Sequence, residues 1–88
     1  MSHRLQEKVR LDLIEADVDM AFALVDDARE EFYEGDRLFA ERALKDAKRV
    51  LHDIDIRLRL LEPQRILPFT PLIVELRKFI NLAEAECG

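Results

Sequence analysis

This chain has very few places where it can reverse direction. Two glycines and three prolines are spread over 88 residues, and Gly35 is the only glycine before the last position. Few turns mean few, long elements, and an all-β fold needs a turn signal about every 8–12 residues. Gly35 therefore acts as the main punctuation of the sequence. Lacking a Cβ, it takes positive φ without steric cost, which is the conformation that ends a helix. The apolar pattern on either side has the helical period, so the expectation is an antiparallel pair of helices folded at this residue.

The first helix is expected over about 2–33, with Ser2 as its N-cap. At about 100° per residue, Leu5, Val9, Leu13, Ala16, Met20, Ala23 and Leu24 fall on one side. Ile14, Val18, Ala21, Val25 and Phe32 fall on an adjoining side, and Leu11 and Phe22 widen the arc. The polar remainder is a narrow strip of Asp12, Glu15, Asp19, Asp26 and Glu30. An arc this broad needs more than one neighbour. The second helix is expected over about 36–61, capped by Asp36. It carries one stripe of Ala40, Ala43, Leu44, Ala47, Val50, Leu51, Ile54, Leu58 and Leu61. Residues 62–69 read as a linker, because Pro63 and Pro68 lack the amide a continuing helix requires, and Ile66, Leu67 and Phe69 suggest that it packs down over the end of the bundle. A third helix over about 71–87 opens at Thr70-Pro71, a cap followed by proline at the first helical position. Its face is Leu72, Ile73, Leu76, Phe79, Ile80 and Ala83.

With the turn centred near Gly35, residue i of the first helix faces roughly residue 70 − i of the second. Ala28 then meets Ala43, Met20 meets Leu51, Leu13 meets Leu58 and Val9 meets Leu61. Small residues oppose small ones near the turn and large oppose large at the open end, where the third helix fills the gap. The expected architecture is a single all-α domain, a three-helix bundle made of a long antiparallel helical hairpin plus a shorter C-terminal helix.

The spacing of Ala28, Gly35, Ala40, Leu44 and Ala47 within residues 24–51 resembles a single tetratricopeptide-type helical hairpin. It is also similar to the spacing in the three-helix microtubule-interacting and trafficking domain. Leu24, Asp27, Glu31 and His52 stand where the tetratricopeptide pattern has tryptophan, leucine, tyrosine and proline. Both families are protein-binding modules, so the resemblance implies a helical interaction role and transfers no individual functional residue.

Charge and composition narrow the function. Fourteen Lys and Arg against 19 Asp and Glu give a net charge of −5, which disfavours nucleic acid, whose binding rests on phosphate neutralisation. Arg42, Lys45 and Arg49 form the one basic group that such a role would use. The longest uninterrupted apolar run, Met20 to Val25, is far short of the about 20 residues a membrane span requires, so no membrane partner is expected. One cysteine, Cys87, cannot form an internal disulfide, and with no signal-peptide pattern this points to the cytoplasm.

No arrangement expected of a catalytic, cofactor-binding or metal site stands in the sequence. No glutamate lies three before His3 or His52, as a helical Glu-x-x-His metal motif needs. Ser2 is the sole serine, and no glycine-rich phosphate loop exists. Asp17 and Asp27 fall inside the apolar arc and each needs a partner; Lys48 and His52 are candidates for Asp17, and Arg42 or a residue of the third helix for Asp27. Leu38, Ile56 and Leu60 on the back of the second helix, with the Leu11–Phe22 flank of the first, exceed what three helices cover. The expected function is a small, non-catalytic helical interaction module that binds a protein partner, chiefly itself as a homodimer, through Leu11, Phe22, Ile56 and Leu60. The acidic strip would tune partner choice. The alternative is a small enzyme or cofactor-binding bundle using the core carboxylates Asp17 and Asp27.

Overall fold

A computed structural model describes residues 3–87, with the side chains of residues 5–87. Ser2, the expected first cap, lies outside the described residues. The elements are α1 (His3–Tyr33), α2 (Arg37–Leu58), a four-residue helix α3 (Pro63–Ile66), a 3-10 turn (Leu67–Phe69) and α4 (Thr70–Cys87). α1 packs most extensively on α2, and α4 packs on both. The result is an all-α three-helix bundle.

The hairpin forms at Gly35 for the expected reason. Gly35 has φ +96° and is the one described residue with positive φ. Its amide donates to the Phe32 carbonyl at 3.1 Å, and the Asp36 amide donates to the Glu31 carbonyl at 2.8 Å. These are the two bonds of a Schellman motif, which satisfies carbonyls that a helix end leaves open. Asp36 then serves α2 as well: its carboxylate accepts from the Phe39 amide at 3.0 Å, so one residue closes α1 and caps α2.

The α2 stripe is buried as expected. Ala40, Ala43, Leu44, Ala47, Leu51, Ile54 and Leu58 are all in the core. α4 contributes Ile73, Leu76, Ile80, Ala83 and Cys87. Side-chain size tapers along the bundle, from Ala28, Ala40, Ala43, Ala47, Ala83 and Cys87 near the turn to Ile14, Ile54, Leu58, Leu61 and Phe69 toward the other end. Bridges fix the direction of α4: Arg29 meets Glu86 at 3.1 Å, Lys48 meets Glu84 at 2.8 Å, and Arg77 meets Asp55 at 2.5 Å. α4 thus runs alongside α1 in the same sense and antiparallel to α2.

Three expectations need correction. The face of α1 that packs on α2 is Ile14, Val18, Ala21, Val25 and Ala28, not the stripe holding Val9, Leu13 and Met20. Those three are 51%, 45% and 51% exposed, so the pairings Met20–Leu51, Leu13–Leu58 and Val9–Leu61 are not core contacts. On a helix that is apolar nearly all round, periodicity alone does not choose between adjoining stripes. The linker over residues 62–69 is itself helical, formed by the short helix and the 3-10 turn; Ile66 and Phe69 pack against the core as expected, whereas Leu67 is 68% exposed. Thr70 is not a cap: it has helical φ −54° and ψ −49°, and its amide donates to the Leu67 carbonyl. Tight turns suit Pro63 and Pro68 because each sits in a first-turn position, where no amide is needed.

Gly35→Ala is expected to lower stability by about 1–2 kcal/mol, the cost of a left-handed residue with a Cβ. A Cβ there meets nothing within 4 Å, so the loss is purely conformational and chemical denaturation measures it directly. The same assay distinguishes the two faces of α1. Ile14→Ala is expected to cost about 2–5 kcal/mol, as a fully buried side chain, and Leu13→Ala about 0.5 kcal/mol or less.

Candidate interaction surface

α1 is built to overfill its core. Its buried face satisfies both neighbours, and Leu5, Val9, Leu13 and Met20 remain 52%, 51%, 45% and 51% exposed on the other side. Their spacing of four, four and seven keeps them on one ridge. Single exposed apolar residues are ordinary, whereas a continuous ridge marks association.

The four residues expected to bind a partner divide into two pairs. Leu11 and Phe22 are partly buried against the core. Phe22 lies 5.9 Å from Phe79 of α4, ring centre to ring centre, and Arg29 sits over the Phe79 ring at 5.4 Å while it holds Glu86 through two hydrogen bonds. Phe22 therefore helps attach α4 to α1. Ile56 and Leu60 are 45% and 62% exposed on the back of α2. The ridge Leu5–Val9–Leu13–Met20 belongs to the surface, where the sequence stripe alone predicts core. The signal that identifies it is the placement of Asp17, which must lie at a core margin and so rotates the buried face away from Met20.

The two carboxylates expected inside the apolar arc behave differently. Asp17 is largely covered and is bridged to Arg57, five residues beyond the expected His52 and nine beyond the expected Lys48. An arginine reaches across the helix pair and offers several donors, which suits a margin position. Lys48 is engaged with Glu84 instead. Asp27 is exposed and forms no ion pair with Arg42. Among the described residues no polar or charged side chain is buried, so Asp17 and Asp27 do not form the core carboxylate cluster on which the catalytic alternative rests. His52 is exposed, and no group of three or more His, Cys, Asp or Glu is placed to hold a metal ion among the described residues.

Asp12, Glu15, Asp19, Asp26 and Glu30 all face solvent. Glu31 is held above the ordinary glutamate range, first by partial burial and then by the negative charge of Glu34, Asp36, Glu30 and Asp27. The carboxylates crowd the C-terminal end of α1, which already carries the negative pole of the helix, and no basic residue occupies its last turn. Burial also raises the Cys87 thiol, which makes it a poor nucleophile. A cleft of about 560 Å³ lies between Glu15, Val18, Asp19, Phe22, Pro68, Phe69 and Leu72; it holds neither Asp17 nor Asp27.

Comparison with known proteins gives no relative to reason from: no family model, curated protein or solved structure matches the chain. No described helix is long and apolar enough to cross a membrane.

Asp17→Asn is expected to cost about 0.5–1 kcal/mol, the scale of a margin ion pair, while Asp27→Asn leaves the denaturation midpoint unchanged. Glu31→Gln tests the crowding. The folded state holds this carboxyl above its ordinary value of 4.5, so ionisation works against folding as pH rises through the folded pKa. The substitution is expected to raise the melting temperature at neutral pH and to give no gain below about pH 4.

Proposed function

We propose that this chain is a small helical protein–protein interaction module that self-associates and works by packing, without catalysis. The observation that carries this reading is the uncovered ridge Leu5–Val9–Leu13–Met20 on α1. Water contact with four large apolar side chains on one helix face is unfavourable, at about 25 cal/mol per Å² of apolar surface, and a second subunit removes it. Homodimers are the commonest closed assembly of soluble chains. The resemblance of residues 24–51 to protein-binding helical hairpins agrees with this, since that stretch is the α1–α2 turn region. Ile56 and Leu60 extend the apolar surface on α2. A lone cysteine that is buried and free suits a reducing compartment, and the cytoplasm is the proposed location.

Sedimentation equilibrium at micromolar concentration tests the proposal. The expected mass is twice 10.3 kDa, and a single species at the monomer mass overturns it. Leu13→Glu combined with Met20→Glu is expected to yield monomer with unchanged helical circular dichroism, because neither side chain is in the core.

A further inference from the structure

α1 and α4 run side by side in the same sense, in contact through Phe22–Phe79 and Arg29–Glu86. On the N-terminal side of Phe22 a cleft of about 560 Å³ opens between α1 and the entry to α4. Its walls are apolar. Val18 and Phe69 are 3% and 4% exposed, Phe22 is partly buried against the core, and Pro68 and Leu72 face solvent. An adjoining cleft of about 360 Å³ shares Glu15 with the first and continues it past Leu11 and Asp12 toward Arg65. The two form one furrow along α1, on the flank that α4 only partly covers.

The charged side chains lining the larger cleft, Glu15 and Asp19, are both acidic. Helical spacing extends the row. Asp12 and Asp26 stand seven before and seven after Asp19, and Glu75 on α4 stands three after Leu72 and four before Phe79. All five carboxylates are exposed, and none takes part in an ion pair among the described residues. The nearby cations do not neutralise them. Arg65 is paired with Glu7 at 3.3 Å and Arg29 with Glu86. Lys8 lines the smaller cleft alone, and Lys78 is turned about 100° round α4 from Phe79. Like charges three and four apart on a helix repel, and Asp12, Glu15 and Asp19 contain both spacings, so a cation from outside relieves a repulsion the fold leaves standing. Arg29 shows how this flank holds a cation: it lies 5.4 Å over the Phe79 ring while two hydrogen bonds tie it to Glu86. The same elements, an aromatic ring and carboxylates, recur seven residues earlier at Phe22 with Glu15 and Asp19.

We infer that this furrow docks a basic amphipathic helix of another protein, which puts a large apolar side chain into the cleft and Lys or Arg side chains along its rim. Asp12, Asp19 and Asp26 repeat every seven residues, which is two helical turns or about 10.5 Å, and together they span about 21 Å. A helix lying along α1 presents its own side chains at the same repeat, the arrangement by which charged flanks select partners between paired helices. A compact cation meets one step of such a row and leaves the apolar walls uncovered. The apolar cleft is the centre of the contact and the carboxylates are its rim. The ridge Leu5–Val9–Leu13–Met20 is a separate surface: Leu13 and Met20 directly follow Asp12 and Asp19, which sets them about 100° further round α1. The inference therefore goes beyond self-association and does not depend on it.

The test titrates the whole chain into a labelled peptide of about 14 residues, matched to the Asp12–Asp26 span, with leucine and lysine set at the helical period, and reads fluorescence anisotropy. The same peptide with glutamate in place of lysine is the control. The lysine peptide is expected to bind and the glutamate peptide is not. Glu15→Lys with Asp19→Lys is expected to weaken binding at least about tenfold, and Leu72→Gln at least about threefold. Glu41→Lys with Asp53→Lys changes the net charge equally, on α2, and is expected to leave the affinity within about twofold of wild type. Leu13→Gln with Met20→Gln, on the ridge, is expected to do the same. Every substituted position is exposed, and circular dichroism checks that the helices are kept. Failure of the lysine peptide to bind, equal binding of the glutamate peptide, or equal weakening by the two pairs of charge reversals overturns the inference. Loss of binding in the ridge variant also overturns it, by moving the contact to that surface. None of these results bears on dimer formation, which the sedimentation measurement decides separately.

Discussion

The bundle depends on how closely α1 and α2 approach beside Gly35. A left-handed glycine turns the chain, and the two amide bonds around it consume the open carbonyls of α1. The alanines that follow, Ala28 on one helix and Ala40, Ala43 and Ala47 on the other, are fully or nearly fully buried. Small side chains let the two backbones lie near each other, and side-chain volume grows toward Ile14, Leu58 and Leu61. The 3-10 turn brings Phe69, and α4 brings Ile73, to the wide part, while Ala83 and Cys87 of α4 lie at the narrow part. One taper therefore sets the order of packing for all three helices.

That arrangement uses up only part of the apolar surface. α2 and α4 bury one face each, as ordinary amphipathic helices do. α1 has two apolar faces, and the bundle supplies neighbours for one. The excess apolar surface and the excess negative charge occur on the same helix, and α2, with a net positive charge, lies beside it. These two asymmetries, one of hydrophobicity and one of charge, are the physical basis for reading the chain as a partner-binding module.

The fold class was legible from local signals that leave little choice. Gly35 followed by Asp36 has both the stop and the start of a helix in adjacent residues, and the alanine and leucine stripe of α2 admits a single buried face. The face of α1 was not legible from period alone, because Val9–Leu13–Met20 and Ile14–Val18–Val25 score alike as stripes. Only tertiary packing, with Asp17 held at the margin by Arg57, decides between them. The same ambiguity explains the site residues. With the Val9–Leu13–Met20 stripe inside, Leu11 and Phe22 are surplus; with the observed face inside, Phe22 is part of the contact with Phe79. The short helix at Pro63–Ile66 was hidden for another reason: proline at a first-turn position carries the same letter as proline that breaks a helix.

The most direct test of the central claim is thiol labelling of two neighbouring positions in a Cys87→Ala background, followed over a range of protein concentrations. Met20→Cys is expected to react rapidly in dilute protein and progressively more slowly as concentration rises, while Ala21→Cys, inside the core, stays protected throughout. Protection of position 20 at every concentration, or reactivity there that never changes with concentration, would contradict an α1 ridge that is open in the single chain and covered by association.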